Sequence, residues 1–185
     1  MSVAIALELL GVPFAMAWDR HGKTMLSDPV RESSEKWGEN EVFGGNILAY
    51  LSQKYDAEKE FAYEDGTSQA EMVADRVKFL FQEMENKQDF TLRLLSTIEY
   101  YLHNSIGGFV VGDKLTKADL AWFPYVYLRC IPAIDSGLFP NVQAWYFRMA
   151  SVSDVRKGAI GAGWGFEHKR FMDLLARGLP HRENA

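Results

Sequence analysis

The segment from Lys117 to about Cys130 constrains the fold most, because it has the pattern of a helix that is apolar nearly all round. Such a helix is stable in water when other helices cover every side of it. Thr116 is a suitable N-cap that can accept a bond from the Asp119 amide, while the Asp119 carboxylate can reach back to the Thr116 amide. Leu115 and Leu120 fit the accompanying hydrophobic staple. We therefore predict a helical bundle with this helix at its centre and a capping box of Thr116 and Asp119 at its start.

Helical patterns occupy most of the chain after residue 66. Their apolar residues recur at the spacing of one helix face, and Pro140 suits a first helical turn. Ser151 or Ser153 can cap the short helix that follows. The predicted helices are Ser68 to about Lys87, Phe90 to His103, Asn141 to Ala150, Asp154 to Ile160 and Glu167 to Arg177.

The N-terminal part of the chain has a mixed pattern. We predict a helix from Ser2 to Leu10 that ends at Gly11, a short strand from Phe14 to Trp18, and a second helix from Asn46 to Tyr55. The stretch from Asp19 to Asn40 follows neither the helical nor the strand period and is typical of a loop. The turn sequence at residues 65–67 (DGT) marks the best boundary in the chain. We expect one domain over residues 1–60 and a second over residues 66–185.

Composition and charge exclude several classes of protein. The net charge of −5 argues against nucleic acid or an anionic membrane as a partner. The single cysteine, Cys130, forms no intrachain disulfide, and the four histidines never fall in a paired metal-binding spacing, so we expect no metal site. The Ala15-Met16-Ala17 triplet is similar to a signal-peptidase site, but no Lys or Arg precedes it and Glu8 interrupts the apolar stretch. We therefore predict a cytoplasmic protein.

Four segments resemble one protein family. The stretch VVGDKLTKADLA, residues 110–121, closely resembles the signature of the glutathione S-transferase C-terminal domain, in which a similar segment caps the central buried helix. Residues 139–149 resemble the next helix of that family. Residues 3–14 resemble its first helix leading into the second strand, and residues 43–56 resemble the helix that ends its thioredoxin-like domain. Within that family, the chain resembles the fungal theta-like and elongation-factor-like transferases. The resemblance implies a mainly α protein, in which an abbreviated thioredoxin-like α/β piece precedes the all-helical bundle.

The resemblance implies that glutathione is the ligand, with departures from the family pattern at its site. In the family, a Glu-Ser pair that holds the γ-glutamyl group would lie just before Asn46, where this chain has Gly44 and Gly45. Glycine amides at a helix N-terminus can still bind a carboxylate, so we expect Gly44, Gly45 and Asn46 to form the glutathione site. The family's first strand and its thiol-activating residue would fall before Met1. The catalytic residue is therefore unknown, and Ser2 is the only hydroxyl near the first helix start.

The family chemistry implies a reaction between the glutathione thiolate and an apolar electrophile such as an activated alkene. Release of a thioether would make the protein a transferase, whereas release of glutathione after bond rotation would make it a cis–trans isomerase. An isomerase would suit one step in fungal secondary metabolism. The apolar substrate pocket is expected at Phe79, Met84, Tyr125 and Trp164, although core packing can also explain each of these residues.

The second interpretation is a non-catalytic interaction module. Transferase-like domains also serve as docking or dimerisation surfaces in larger assemblies, and the missing activating residue favours that role here. The resemblance implies a homodimer in either case.

Overall fold

The computed structural model describes residues 2–14, 16–18, 24–26, 44–85, 91–129 and 137–161, and within these ranges the chain is mainly helical, as predicted. None of the helices in these ranges is long and apolar enough to cross a membrane. In the described part of the chain, one two-stranded antiparallel sheet accompanies seven helices. In chain order the elements are α1 (Ser2–Leu9), β1 (Met16–Trp18), β2 (Thr24–Leu26), α2 (Gly44–Tyr55), α3 (Ser68–Glu85), α4 (Thr91–His103), α5 (Lys117–Arg129), α6 (Pro140–Ser151) and α7 (Ser153–Gly161).

Helix α5 lies at the centre of the bundle, which confirms the prediction from its apolar sequence. It contacts α1, α2, α3 and α6. Trp122 and Phe123 are among the largest fully buried side chains, and Tyr125 is half-buried. The helix contains Pro124 in its interior. The buried residues along α5 are Ala118, Asp119, Leu120, Ala121, Trp122, Phe123, Pro124, Val126 and Tyr127.

Helix α1 packs against α7, where a glycine permits the close approach. A Cβ on Gly158 would collide with backbone atoms of Ala4 and Ile5. Ile5 and Leu7 are fully buried and belong to the same hydrophobic core as α5. The first helix of the chain is therefore part of the bundle's core.

Helix α6 begins at Pro140, in agreement with the prediction that this proline opens the helix. Its N-cap residue, Phe139, makes no side-chain cap. Glu99 of α4 caps it instead, because its carboxylate accepts bonds from the amides of Asn141 (3.1 Å) and Val142 (2.9 Å). A carboxylate at a helix N-terminus also interacts favourably with the helix dipole.

Some local predictions were wrong. The stretch from Asp19 to Asn40 was expected to be a loop, yet its residues 24–26 form β2, which pairs with β1 in the register Met16 to Leu26, and the rest of the stretch lies outside the described residues. The apolar residues on the predicted one-face stripe of the Ser68 to Lys87 helix include Met72, but Met72 is 38% exposed, while Val73 is buried. The predicted end of the central helix at about Cys130 and the predicted helix at residues 167–177 lie outside the described residues.

Candidate functional site

The start of α5 is organised around one buried carboxylate. Asp119 accepts hydrogen bonds from the Thr116 amide (2.9 Å) and the Thr116 hydroxyl (3.0 Å). The Thr116 hydroxyl accepts a bond from the Ala118 amide (3.3 Å), rather than from the Asp119 amide as the sequence suggested. The other carboxylate oxygen accepts bonds from the Val110 amide and the Trp145 indole nitrogen, both at 2.8 Å.

Asp119 therefore joins three parts of the C-terminal region. Its carboxylate links the loop before α5, the first turn of α5 and the middle of α6. The side chain is fully buried. Burial raises the pKa of the Asp119 carboxyl, and the bonds from Val110, Trp145 and Thr116 oppose that shift. A buried network whose donors all converge on one acceptor group fixes the relative positions of the elements that carry them.

A second cluster attaches the segment after α2 to the same loop. The Lys114 ammonium donates to the carbonyl oxygens of Lys59 (2.6 Å) and Ala62 (2.5 Å), and it lies 4.8 Å from the centre of the Tyr63 ring. The Tyr63 hydroxyl lies 3.2 Å from the Asp113 carboxylate and accepts a bond from the Asp113 amide (3.3 Å). We call these residues the linker clasp, since they hold residues 59–63 against the start of α5.

Aromatic rings fill the space between α3, α4 and α5. Phe79 stacks on Trp122 with an interplanar angle of 7° and a centroid distance of 6.4 Å, and Tyr101 meets both rings edge-on. The Arg76 guanidinium lies 4.2 Å above the Tyr101 ring and also donates to the Val110 carbonyl. Burial raises the pKa of Tyr101, and the Arg76 charge opposes that shift. We call these four residues the aromatic cluster.

Only part of the predicted substrate pocket lies within the described residues. Phe79 belongs to the aromatic cluster, where its ring packs on Trp122. Tyr125 is half-buried on α5, one turn after Trp122. The side chain of Met84 and all of Trp164 lie outside the description. The assignment of these four residues to a substrate pocket stays a prediction.

The predicted glutathione residues stand at the start of α2. Gly44, Gly45 and Asn46 form its first turn, and their backbone is helical. Ser2, the hydroxyl residue considered as a stand-in for the activating group, begins α1. Among the described residues, no group of three or more His, Cys, Asp or Glu side chains is placed to hold a metal ion.

Several residues of these networks were missed by the sequence reasoning. Glu99, Lys114 and Tyr63 gave no local signal, because their partners lie between 42 and 55 positions away in the chain. Gly112 is the one residue whose type could have indicated the linker clasp. Its φ of 64° falls in the left-handed region, and a Cβ there would collide with the Tyr63 hydroxyl.

Comparison with known proteins places these features in a family. The model of the family described as "Glutathione S-transferase, C-terminal domain" matches residues 61–157, which include the aromatic cluster, the Asp119 network and all of the linker clasp except Lys59. No curated protein sequence matches this chain.

Solved structures share the fold. A glutathione transferase homologue from Lodderomyces elongisporus, crystallised with two GSH per subunit, has a TM-score of 0.63 and 20% identity, over 85% of this chain and 91% of that one. The Nilaparvata lugens delta-class glutathione transferase has a TM-score of 0.60 and 20% identity, over 91% and 92% of the two chains. Phanerochaete chrysosporium URE2P6 has a TM-score of 0.58 and 20% identity, over 90% of each chain.

Proposed function

This chain belongs to the glutathione S-transferase family, since the family model matches more than half of it, and we propose on that basis that it is a glutathione-dependent enzyme. The observation that supports the proposal most directly is the start of α2, where Gly44, Gly45 and Asn46 form the first turn of a 12-residue helix. The solved structure of the Lodderomyces elongisporus homologue, which contains GSH, supports the same ligand here.

The start of α2 would bind glutathione through its backbone. The first amides of a helix have no partners within the helix, and the positive end of the helix dipole attracts a carboxylate. Two successive glycines leave no Cβ to block the approach of a carboxylate group to these amides. We therefore assign the γ-glutamyl carboxylate of glutathione to Gly44, Gly45 and Asn46.

Glutathione titration of charge variants tests this assignment. Asn46→Asp places a negative charge at the start of α2, which favours the helix but repels a carboxylate ligand. We expect wild-type protein to bind glutathione in the micromolar to low-millimolar range by titration calorimetry, and Asn46→Asp to bind at least about tenfold more weakly. Gln69→Glu is the matched control, because it adds the same charge in the first turn of α3. Absence of binding at several millimolar glutathione would contradict the proposal.

The second substrate would be an apolar electrophile with an activated double bond. Attack by the glutathione thiolate forms a carbon–sulfur bond and moves the alkene electrons onto the adjacent activated carbon. Protonation of that carbon gives a stable thioether, which is the transferase outcome. Rotation about the former double bond followed by loss of the thiolate gives the trans alkene and free glutathione, which is the isomerase outcome and would suit a step in fungal secondary metabolism. Phe79, Met84, Tyr125 and Trp164 would line the apolar pocket.

Diethyl maleate distinguishes the two reactions in one experiment. A transferase consumes one glutathione for each molecule converted and yields the thioether. An isomerase yields diethyl fumarate while the glutathione concentration stays constant. Proton NMR follows both products together, and the uncatalysed reaction without protein is subtracted. Glutathione binding with no acceleration of either reaction would favour the non-catalytic interpretation.

We also propose that the protein forms a homodimer through the face of α3 and α4. Met72 is 38% exposed and Tyr100 is 66% exposed on this face. A chain of contacts joins these two residues. The Arg76 guanidinium lies beside Met72 and over the Tyr101 ring. The centre of the Tyr101 ring lies 6.2 Å from that of Tyr100. Light scattering after gel filtration should give the mass of a dimer. Tyr100→Glu should shift it to that of a monomer, whereas Leu138→Glu, at a site that is 71% exposed elsewhere, should leave the dimer intact.

A further inference from the structure

A groove of about 330 Å³ lies where α1 and α2 end, at the other end of α2 from the proposed glutathione residues. The Asp56 carboxylate holds the backbone of its rim, because it accepts bonds from the amides of Glu60 (2.8 Å) and Phe61 (3.0 Å). The inner surface is formed by partly buried apolar and aromatic side chains. These are Leu9, Leu10, Tyr55 and Phe61.

The charge around this groove is negative. Glu58 and Glu60 border it and are exposed, and neither side chain forms an ion pair with another residue in the described part of the chain. Two helices also end here, α1 at Leu9 and α2 at Tyr55. The negative end of a helix dipole favours a cation. A cationic group at the rim would therefore meet two carboxylates and two helix C-termini.

The lysines closest in sequence to the two glutamates are engaged with other partners. Lys59 is paired with Asp65 at 3.2 Å. Lys54 donates to the Tyr50 hydroxyl at 2.9 Å and lies 5.3 Å from the centre of the Tyr55 ring. Neither lysine is among the described residues that border the groove. The positive charge that would complement this rim must therefore come from a partner.

We propose that this groove binds a basic segment of a partner protein. In the complex, an apolar side chain of the partner lies against Leu9, Leu10 and Phe61. Lysine or arginine residues beside that side chain pair with Glu58 and Glu60. An apolar anchor surrounded by a polar rim is the usual anatomy of a protein–protein contact. The net charge of −5 adds long-range attraction for a basic partner.

The groove is separate from the proposed glutathione site. Both lie on α2, but the two ends of this 12-residue helix are about 16 Å apart along its axis. A peptide at the end of α2 and glutathione at its start would therefore bind without touching each other.

Three fluorescein-labelled peptides separate the apolar contact from the charge. The first is Lys-Arg-Leu-Leu-Lys-Arg, the second replaces its leucines with alanines, and the third replaces its basic residues with glutamates. In fluorescence anisotropy with the full chain at about 0.15 M salt, we expect the first to bind at least about tenfold more tightly than either of the others. Equal binding of the leucine and alanine peptides would indicate charge attraction alone and would overturn the proposal. Absence of binding by the leucine peptide would also overturn it.

Neutral variants test whether the peptide binds at the rim. Glu58→Gln combined with Glu60→Gln should weaken binding of the leucine peptide about tenfold, because both ion pairs are lost. Glu71→Gln combined with Asp75→Asn is the matched control, since it removes two charges from exposed positions of α3 that do not border the groove. The control should change the affinity less than about twofold. An equal loss in both double variants, or unchanged binding in the first, would overturn the proposal.

Glutathione and the molecular mass provide the last comparisons. Saturating glutathione should leave peptide binding unchanged. Glu58→Gln combined with Glu60→Gln should leave both glutathione binding and the mass from light scattering unchanged. Competition with glutathione, or a changed mass in that variant, would overturn the proposal, because the groove would then belong to the glutathione site or to an interface between copies of this chain. Failure of glutathione to bind at all would contradict the proposed function but would not change the outcome expected for the peptides.

Discussion

Replacing Asp119 tests whether one buried carboxylate holds the C-terminal region together. In the structure its two oxygens accept four hydrogen bonds, at 2.8 to 3.0 Å, from Val110, Trp145 and Thr116. Asp119→Ala removes every acceptor and leaves the amides of Val110 and Thr116 and the Trp145 indole nitrogen buried without partners. Asp119→Asn keeps one carbonyl oxygen but turns an NH₂ group toward one pair of these donors.

The expected losses follow from the number of donors left without partners. A buried donor without an acceptor costs about 1–3 kcal/mol, and a lost N-cap costs about 1 kcal/mol. Three orphaned N–H groups, partly relieved by relaxation of the structure, give a loss of about 4 kcal/mol in the free energy of unfolding for Asp119→Ala. Asp119→Asn should lose about 2 kcal/mol, because roughly half of the bonds remain. A loss of 4 kcal/mol is a large fraction of the roughly 5–15 kcal/mol that stabilises a typical domain.

Urea unfolding at pH 7, followed by circular dichroism, measures these losses. Asp75→Asn is the matched control, since Asp75 is exposed on α3, and it should change the free energy of unfolding by less than about 0.5 kcal/mol. Thr116→Val combined with Asp119→Ala should destabilise less than the sum of the two single changes, because both remove the bond from the Thr116 hydroxyl to the Asp119 carboxylate. If Asp119→Asn and Asp119→Ala unfolded at the wild-type urea concentration, the carboxylate would not hold these elements together.

Three further predictions concern packing, the linker clasp and pH. Gly158→Ala should lower the free energy of unfolding in urea by about 2 kcal/mol or more, since the added Cβ would force α1 away from α7. An unchanged urea midpoint would contradict the close approach of α1 and α7 at Gly158. Lys114→Met should lower the free energy of unfolding by about 1–2 kcal/mol and speed proteolysis near Ala62, whereas Lys78→Met should do neither. Tyr101 has a pKa raised by burial, so its contribution to stability is complete below its unfolded pKa of 10.0 and is lost as the pH rises through the higher folded value. The free energy of unfolding of the wild-type protein should therefore fall more than that of Tyr101→Phe between about pH 9 and 11. Equal losses would contradict the view that burial of Tyr101 raises its pKa.

The elements that the sequence predicted well are those with local signals. The apolar pattern around α5 identified the central helix, because burial on all sides leaves no polar stripe in the sequence. Pro140 predicted the start of α6, because the preference of proline for the first helical turn depends on that residue alone. The capping box rests on residues three positions apart, and the bond from the Thr116 amide to Asp119 is present at 2.9 Å. Strand β2 was missed because three residues are too few for an alternating pattern to stand out.

The features that the sequence could not predict depend on distant partners. Asp119 also binds Trp145, 26 positions away, and nothing near either residue indicates that pair. The exposure of Met72 depends on the position of α3 against its neighbours, which the helical period does not determine.

The positions of the Asp119 network and the linker clasp suggest how the proposed glutathione residues are held in place. The Asp119 network fixes the start of α5 against α6, and the linker clasp fixes the segment after α2 against the loop that leads into α5. The proposed glutathione residues begin α2. Their position therefore depends on where α2 sits relative to α5. A change that loosens the clasp, such as Lys114→Met, should therefore weaken glutathione binding in titration calorimetry although Lys114 lies outside α2, and an unchanged affinity would contradict this dependence.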